Sequence, residues 1–127
     1  AILVSKIIYI KKGYKKDFVI LDSAMNDLIR PALYNTAHKI IPLKKNKIST
    51  KKSYEFVGPI CESTDKFATI RKFQKLYEKE FIAICDVGAY GTSLSSNYNV
   101  RPKPMEILIK SSKIQIINKR QKLSELM

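Results

Sequence analysis

Two short segments of this 127-residue chain contain the side chains best suited to chemistry. Cys61 and Glu62 follow the turn-forming pair Gly58-Pro59, and Tyr90 lies between glycines in the segment Gly88-Ala89-Tyr90-Gly91. A thiol has a pKa near enough to neutrality to transfer a proton, and a carboxylate accepts hydrogen bonds from an ammonium group. A phenol can donate to a phosphate oxygen, and flanking glycines allow a ligand to approach closely. We therefore expect these loops to contribute to an active site.

Each of these residues also has a purely structural interpretation. Cys61 could be a small core residue, as free cysteines often are. Glu62 could be a solvated loop acid, and Tyr90 could be an aromatic side chain that packs on the domain. The remaining polar loop residues, among them Asn26 and Tyr98, are expected to shape loops through local hydrogen bonds.

Composition limits the class of protein. The length suits a single domain over residues 1–127, and no apolar run reaches the roughly 18 residues of a membrane helix. The two cysteines, Cys61 and Cys85, lack the spacing of a zinc site, so we predict no metal and an intracellular, cytoplasmic protein with free thiols. The formal net charge of +13 would suit a nucleic-acid partner. No nucleic-acid-binding motif accompanies it, so we expect no specific nucleic-acid binding.

Strand patterns dominate the chain. The strands that we predict cover 2–10, 17–21, 37–43, 53–57, 81–86, 105–109 and 113–117. The first two should form a hairpin, as should the last two. Helical turns are expected at 31–34, 63–68 and 121–127, and loops at 22–27 and 44–52. About seven strands with short connections and no βαβ rhythm predict a mainly β domain, an antiparallel β-barrel or sandwich with short helical turns.

Three groups of motifs, in order, resemble the C-terminal β-domain of the diaminopimelate decarboxylase family. They are the run from Leu21 to Tyr34, the segment Cys61-Glu62-Ser63, and Gly88-Ala89-Tyr90-Gly91 with the later Ser96-Asn97-Tyr98-Asn99 and Arg101-Pro102. The family belongs to the alanine-racemase-like, fold-type III pyridoxal phosphate enzymes. Its members join a TIM-type barrel to a β-domain, form head-to-tail homodimers and convert meso-diaminopimelate to L-lysine and CO2. The resemblance implies pyridoxal 5'-phosphate as cofactor and shared active sites between subunits.

The resemblance also assigns roles to five residues. Cys61 matches the proton donor, which reaches the active site of the partner subunit, and Glu62 matches the contact to the distal amino group of the substrate. Arg30 and Tyr34 match substrate-binding positions, and their spacing of four places both on one face of a helical turn. A guanidinium can bind a carboxylate through two hydrogen bonds, which favours a diacid substrate. Tyr90 matches a contact to both cofactor phosphate and substrate.

The same comparison defines what we do not expect in this chain. The lysine that holds the cofactor and the glycine-rich phosphate loop lie in the family's barrel, so we expect the chain to be a catalytically incomplete part of a longer enzyme. Thr64 stands where the family commonly has glycine, and Ser23-Ala24 where it often has Ala-Gly. His38 is not expected to be catalytic, and Cys85 is expected in the core.

Two alternative functions remain open at this point. One is a domain of a related decarboxylase that acts on a basic amino acid or a carboxylated polyamine. The other is a non-catalytic basic binding module. A substrate panel would separate the first from the leading hypothesis, and sequence-selective, salt-sensitive binding of duplex DNA would support the second.

Overall fold

The computed structural model describes residues 1–46 and 50–127. Within them the chain forms eight strands, one short α-helix and three 3₁₀ turns. The strands are β1 (Ile2–Lys11), β2 (Asp17–Leu21), β3 (Ile40–Pro42), β4 (Lys51–Val57), β5 (Lys66–Gln74), β6 (Phe81–Cys85), β7 (Glu106–Lys110) and β8 (Lys113–Asn118). The helix is α1 (Arg30–Tyr34), and the 3₁₀ turns are Thr92–Leu94, Tyr98–Val100 and Leu123–Glu125. No helix in these two ranges is long and apolar enough to cross a membrane.

Strand β1 is the centre of the main sheet, which has the order β3-β6-β1-β2-β4-β5. Its first half pairs with β6, where Leu3 lies opposite Ile84, and its second half pairs with β2. The register shifts between Ile7 and Tyr9, which marks a bulge where the two halves meet. The run of β-branched residues in β1 explains why this strand is long enough to serve both neighbours.

The predicted mainly β domain is confirmed, with one pairing that the sequence did not indicate. Among the described residues, β1 and β2 form the predicted antiparallel hairpin, whereas β2 and β4 run parallel. Parallel neighbours need a long connection, and here the chain passes through α1 and β3 before it returns to β4. This long connection contains the loop and helix that hold two of the candidate site residues.

The core lies on the inner face of the six-stranded sheet. Ile7, Val19 and Ile82 are completely buried there. Tyr54 and Phe56 of β4 pack edge-on against Phe73 of β5, with the rings of Phe56 and Phe73 5.4 Å apart. Burial of these side chains fixes the strand register, because a one-residue slip would turn the aromatic rings to the exposed face.

The second sheet is the predicted C-terminal hairpin of β7 and β8. Its turn places Ser111 in a left-handed conformation with a φ of 54°. Apolar side chains on the hairpin are exposed on the surface of the domain, for example Ile109 and Ile114.

Four local predictions were wrong or too long. Residues 63–68 do not form a helical turn, because Lys66 and Phe67 already belong to β5, a strand that we did not predict from the sequence. Strand β3 covers only three residues of the predicted range 37–43, and the C-terminal helix expected over 121–127 is a single 3₁₀ turn. The loop predicted over 44–52 includes residues 47–49, which lie outside the described residues, and Lys51 and Lys52 begin β4.

Candidate active site

The loop before α1 sets the position of Arg30 and Tyr34. Leu28 is buried in the core and anchors the loop. Pro31 occupies the start of the helix, where its missing N–H is not needed, and Asn35 ends the helix with a left-handed φ of 51°. The helix packs against β5. The predicted helical turn is confirmed, and it presents an exposed Tyr34 beside a half-buried Arg30.

The turn that contains Cys61 and Glu62 is organised around one buried carboxylate. Asp65 is 2% exposed and accepts hydrogen bonds from the backbone N–H of Ile60, at 2.8 Å, and of Met25, at 2.7 Å. One oxygen therefore fixes the turn before Cys61, and the other fixes the loop before α1. The side chain of Asp65 links the two segments that hold four of the predicted site residues.

Gly58 makes this arrangement possible. Its backbone N–H donates to the carbonyl oxygen of Asp65 at 3.0 Å. A β-carbon at Gly58 would stand 2.2 Å from a carboxylate oxygen of Asp65, well inside van der Waals contact. Gly58, which was predicted as a turn residue, is required here because the Asp65 side chain approaches its backbone closely.

Cys61 and Glu62 both project from this turn into solvent. Cys61 is an exposed free thiol, so the interpretation of Cys61 as a core residue is wrong. The Glu62 carboxylate accepts hydrogen bonds from the Tyr98 hydroxyl and, at 3.4 Å, from the Thr64 hydroxyl. The loop acid is therefore held by two neighbours.

Tyr90 lies on a separate loop that follows β6. It has a left-handed φ of 57° and is 61% exposed. The loop is tight at Gly91, where a β-carbon would meet the carbonyl oxygen of Val87 at 2.1 Å. This compact turn leaves the Tyr90 side chain largely exposed to solvent.

A polar frame joins the later part of this loop to the loop before α1. Arg101 donates from Nε to the Asn26 side-chain oxygen at 2.9 Å and from its guanidinium to the Asp22 carbonyl. Asn26 is 2% exposed and exchanges hydrogen bonds with the backbone of Ser96. Asn26 was expected only to shape its own loop, but its contacts extend across the site.

Burial changes the acidity of the two carboxylates in this frame. Desolvation raises the pKa of Asp65, although the N–H donors of Ile60 and Met25 oppose it. Desolvation likewise raises the pKa of Asp27, opposed by a hydrogen bond from the Ala24 N–H and by the charge of Arg101.

The structure thus joins the two segments that contain four of the five predicted residues, and the fifth lies on a separate loop. Arg30, Tyr34, Cys61 and Glu62 share the frame around Asp65, whereas Tyr90 is on a loop that meets this frame only further along, near Ser96. A cleft of about 460 Å³ lies between α1 and the start of β5, and the described residues that line it include none of the five.

Two further groups act in packing. His38 is buried before β3, and its Nδ1 lies 2.9 Å from the Cys85 carbonyl oxygen, so this nitrogen carries the proton. Cys85 is partly buried at the end of β6. Residues 1–46 and 50–127 contain no group of three metal-ligating side chains.

The comparison with known families covers most of the chain. Residues 1–88 match the family model described as the C-terminal sheet domain of pyridoxal-dependent decarboxylases. The mainly β fold agrees with this class of domain. The chain belongs to the pyridoxal-dependent decarboxylase family.

Individual relatives are diaminopimelate decarboxylases. The enzyme of Aquifex aeolicus is 40% identical over 94% of this chain, which corresponds to 28% of its own length. An enzyme from Helicobacter pylori is 41% identical over 98% of this chain, which corresponds to 31% of its own length. The solved Helicobacter pylori enzyme in complex with L-lysine superposes with a TM-score of 0.88 at 42% identity, over 98% of this chain and 30% of that one. This chain therefore spans about 30% of the length of the relatives that it matches.

Proposed function

We propose that this chain is the C-terminal β-domain of a diaminopimelate decarboxylase, which forms L-lysine and CO2 from meso-2,6-diaminopimelate. The observation that supports this most directly is the Asp65 link, which holds the exposed pair Cys61 and Glu62 beside the helix with Arg30. The chain is about 40% identical to diaminopimelate decarboxylases over nearly its whole length, which favours this reaction over that of the related basic amino acid or polyamine decarboxylases.

The substrate contacts that we propose follow from the charges and hydrogen-bonding groups of these side chains. Arg30 and Tyr34 bind the distal carboxylate of the substrate, because a guanidinium and a phenol are both donors to an anion. Glu62 binds the distal ammonium through charge-assisted hydrogen bonds.

The cofactor contact rests on Tyr90. Pyridoxal 5'-phosphate, when bound, supplies an electron sink for the bond that breaks. The exposed Tyr90 on its compact turn fits a hydroxyl donor to the phosphate group of this cofactor. The Cys61 thiol supplies a proton to the carbon that has lost CO2, and its exposure on a fixed turn suits transfer to a substrate held on another surface.

The assembly that we propose is a homodimer with shared active sites. Four of the five candidate residues, all except the half-buried Arg30, are exposed on this domain, so other protein surfaces must close the site and exclude water. The exposed thiol of Cys61 also supports a reducing, cytoplasmic location.

The experiment uses the protein expressed from the whole reading frame that encodes this chain. We expect L-lysine formation from meso-diaminopimelate, and a loss of kcat of about 10²- to 10⁴-fold in Cys61→Ala, because a positioned proton donor contributes that much. Cys85→Ala is the matched control and should retain activity. Arg30→Ala should raise KM by removing a carboxylate contact.

Two results would overturn the proposal. Absence of lysine formation by the unmodified protein would reject the function, and preference for ornithine or a carboxylated polyamine in a substrate panel would support the related decarboxylases instead. Full activity of Cys61→Ala would reject the role of this thiol alone.

A further inference from the structure

The surroundings of Glu62 differ from those of an ordinary loop acid. A glutamate on an exposed turn normally samples several rotamers, and ordering it on a ligand is unfavourable by the lost freedom. Here one carboxylate oxygen contacts the Tyr98 hydroxyl, and the other lies 3.4 Å from the Thr64 hydroxyl. The two donors restrict the carboxylate before any ligand arrives.

Tyr98 is itself held by the segment around it. Its N–H donates to the Ser96 hydroxyl at 3.3 Å, and the neighbouring Asn97 side chain donates to the Arg101 carbonyl at 2.9 Å and to Gln121 at 2.6 Å. These contacts fix the backbone on both sides of the ring. The hydroxyl of Tyr98 therefore has a defined position relative to Glu62.

The backbone next to Tyr98 adopts a conformation that needs support. Val100 has a φ of 56°, in the left-handed region that is unfavourable for a β-branched residue. Such conformations persist where the surroundings fix them, and they concentrate at functional sites. The Arg101 contact to buried Asn26, at 2.9 Å, is the support here.

We propose that Tyr98 is a positioning residue that orients Glu62 toward the distal ammonium of the substrate, with Thr64 as a weaker second donor. This inference rests on the proposed function. A carboxylate has about four lone-pair sites, so two hydroxyl donors leave room for an ammonium group. Because an immobilised side chain no longer loses its freedom on binding, the Tyr98 contact should strengthen substrate recognition by about 3- to 10-fold.

The test uses Tyr98→Phe in the protein from the whole reading frame, with steady-state kinetics for meso-diaminopimelate. We expect kcat/KM to fall by about 3- to 10-fold, mainly through KM. The Ki of 2-aminopimelate as a competitor should change by less than 2-fold, since this diacid lacks the distal amine. Thr64→Val should show a smaller loss in the same direction. Tyr14→Phe, at a fully exposed tyrosine, is the matched control and should change nothing.

A double-mutant cycle shows whether Tyr98 acts through Glu62. In a Glu62→Gln background, Tyr98→Phe should have no further effect on kcat/KM. Additive losses, or an equal loss of affinity for 2-aminopimelate, would overturn the inference while leaving the proposed function intact. An unmodified protein that forms no lysine would overturn both. Thermal unfolding of each variant should match that of Tyr14→Phe, because the Tyr98 side chain is at the surface.

Discussion

Replacing Asp65 should separate the two segments that its carboxylate joins. This residue is 2% exposed, and it accepts the N–H of Met25 at 2.7 Å and of Ile60 at 2.8 Å. Asp65→Ala removes both acceptors without removing the donors. Asp65→Asn keeps one acceptor and turns an amide NH2 toward the other N–H.

The magnitude follows from the number of donors left without a partner. Each buried N–H that loses its acceptor costs about 1–3 kcal/mol. Asp65→Ala should therefore lower the free energy of unfolding by about 2–6 kcal/mol, and Asp65→Asn by about 1–3 kcal/mol. Both values are large beside a typical total of about 5–15 kcal/mol for a domain of this kind.

Urea unfolding of both variants tests whether Asp65→Ala loses more stability than Asp65→Asn. The rate of Cys61 alkylation reports on the local turn. We expect faster alkylation in both variants, because the turn before Cys61 loses its fixed point. Asp86→Asn is the matched control, since Asp86 is exposed and its left-handed φ of 60° suits Asn equally well. A loss below about 0.5 kcal/mol in Asp65→Ala, the range of ordinary surface changes, would refute the reasoning.

Three other perturbations have defined outcomes in urea unfolding. Gly58→Ala should cost about 1–3 kcal/mol, because its β-carbon would lie 2.2 Å from Asp65, whereas Gly88→Ala, with its nearest neighbour at 3.5 Å, should be neutral. Tyr54→Phe should cost about 1–3 kcal/mol, since the buried N–H of Leu76 loses its acceptor at 3.1 Å. Burial raises the pKa of Asp65, so the pH-dependent part of its contribution to the free energy of unfolding is complete below the ordinary aspartate pKa and is lost as pH rises through the raised value. The effect of Asp65→Asn should thus be greatest at low pH and shrink toward neutrality, and a constant effect would contradict this.

The strands could be predicted where local sequence decides the structure. β-Branched runs indicated β1, and the turn at Ser111 indicated the C-terminal hairpin. β5 was missed because it is an edge strand with a largely exposed outer face, and Lys72 interrupts its alternation with a φ of 58°. The parallel pairing of β2 with β4 depends on where a long connection returns, which no local pattern specifies.

For the candidate site, too, local sequence predicted some features, whereas contacts between distant residues could not be predicted. The reactive side chains could be selected from residue type and motif order, but the residues that hold them could not. Asp65 contacts Met25 across 40 positions, and Arg101 contacts Asn26 across 75. Hydrogen bonds over such distances leave no periodic signal in the sequence. Gly58 was the only local sequence signal for this frame, because this glycine precedes the turn and is required for close approach to Asp65.

The buried polar frame follows from the need to keep the reacting groups exposed. Loop backbones have unpaired N–H groups, and a side chain that must reach a substrate cannot anchor its own loop in the core. Asp65 accepts hydrogen bonds from two of these N–H groups, whereas Arg101 donates to the backbone carbonyl of Asp22. The charge of Arg101 lowers the pKa of both Asp27 and Asp65, which opposes the effect of burial. Hydrogen bonds are directional, whereas apolar contacts permit sliding. A polar frame can therefore hold Cys61 and Glu62 in a reproducible position while both stay open to a ligand.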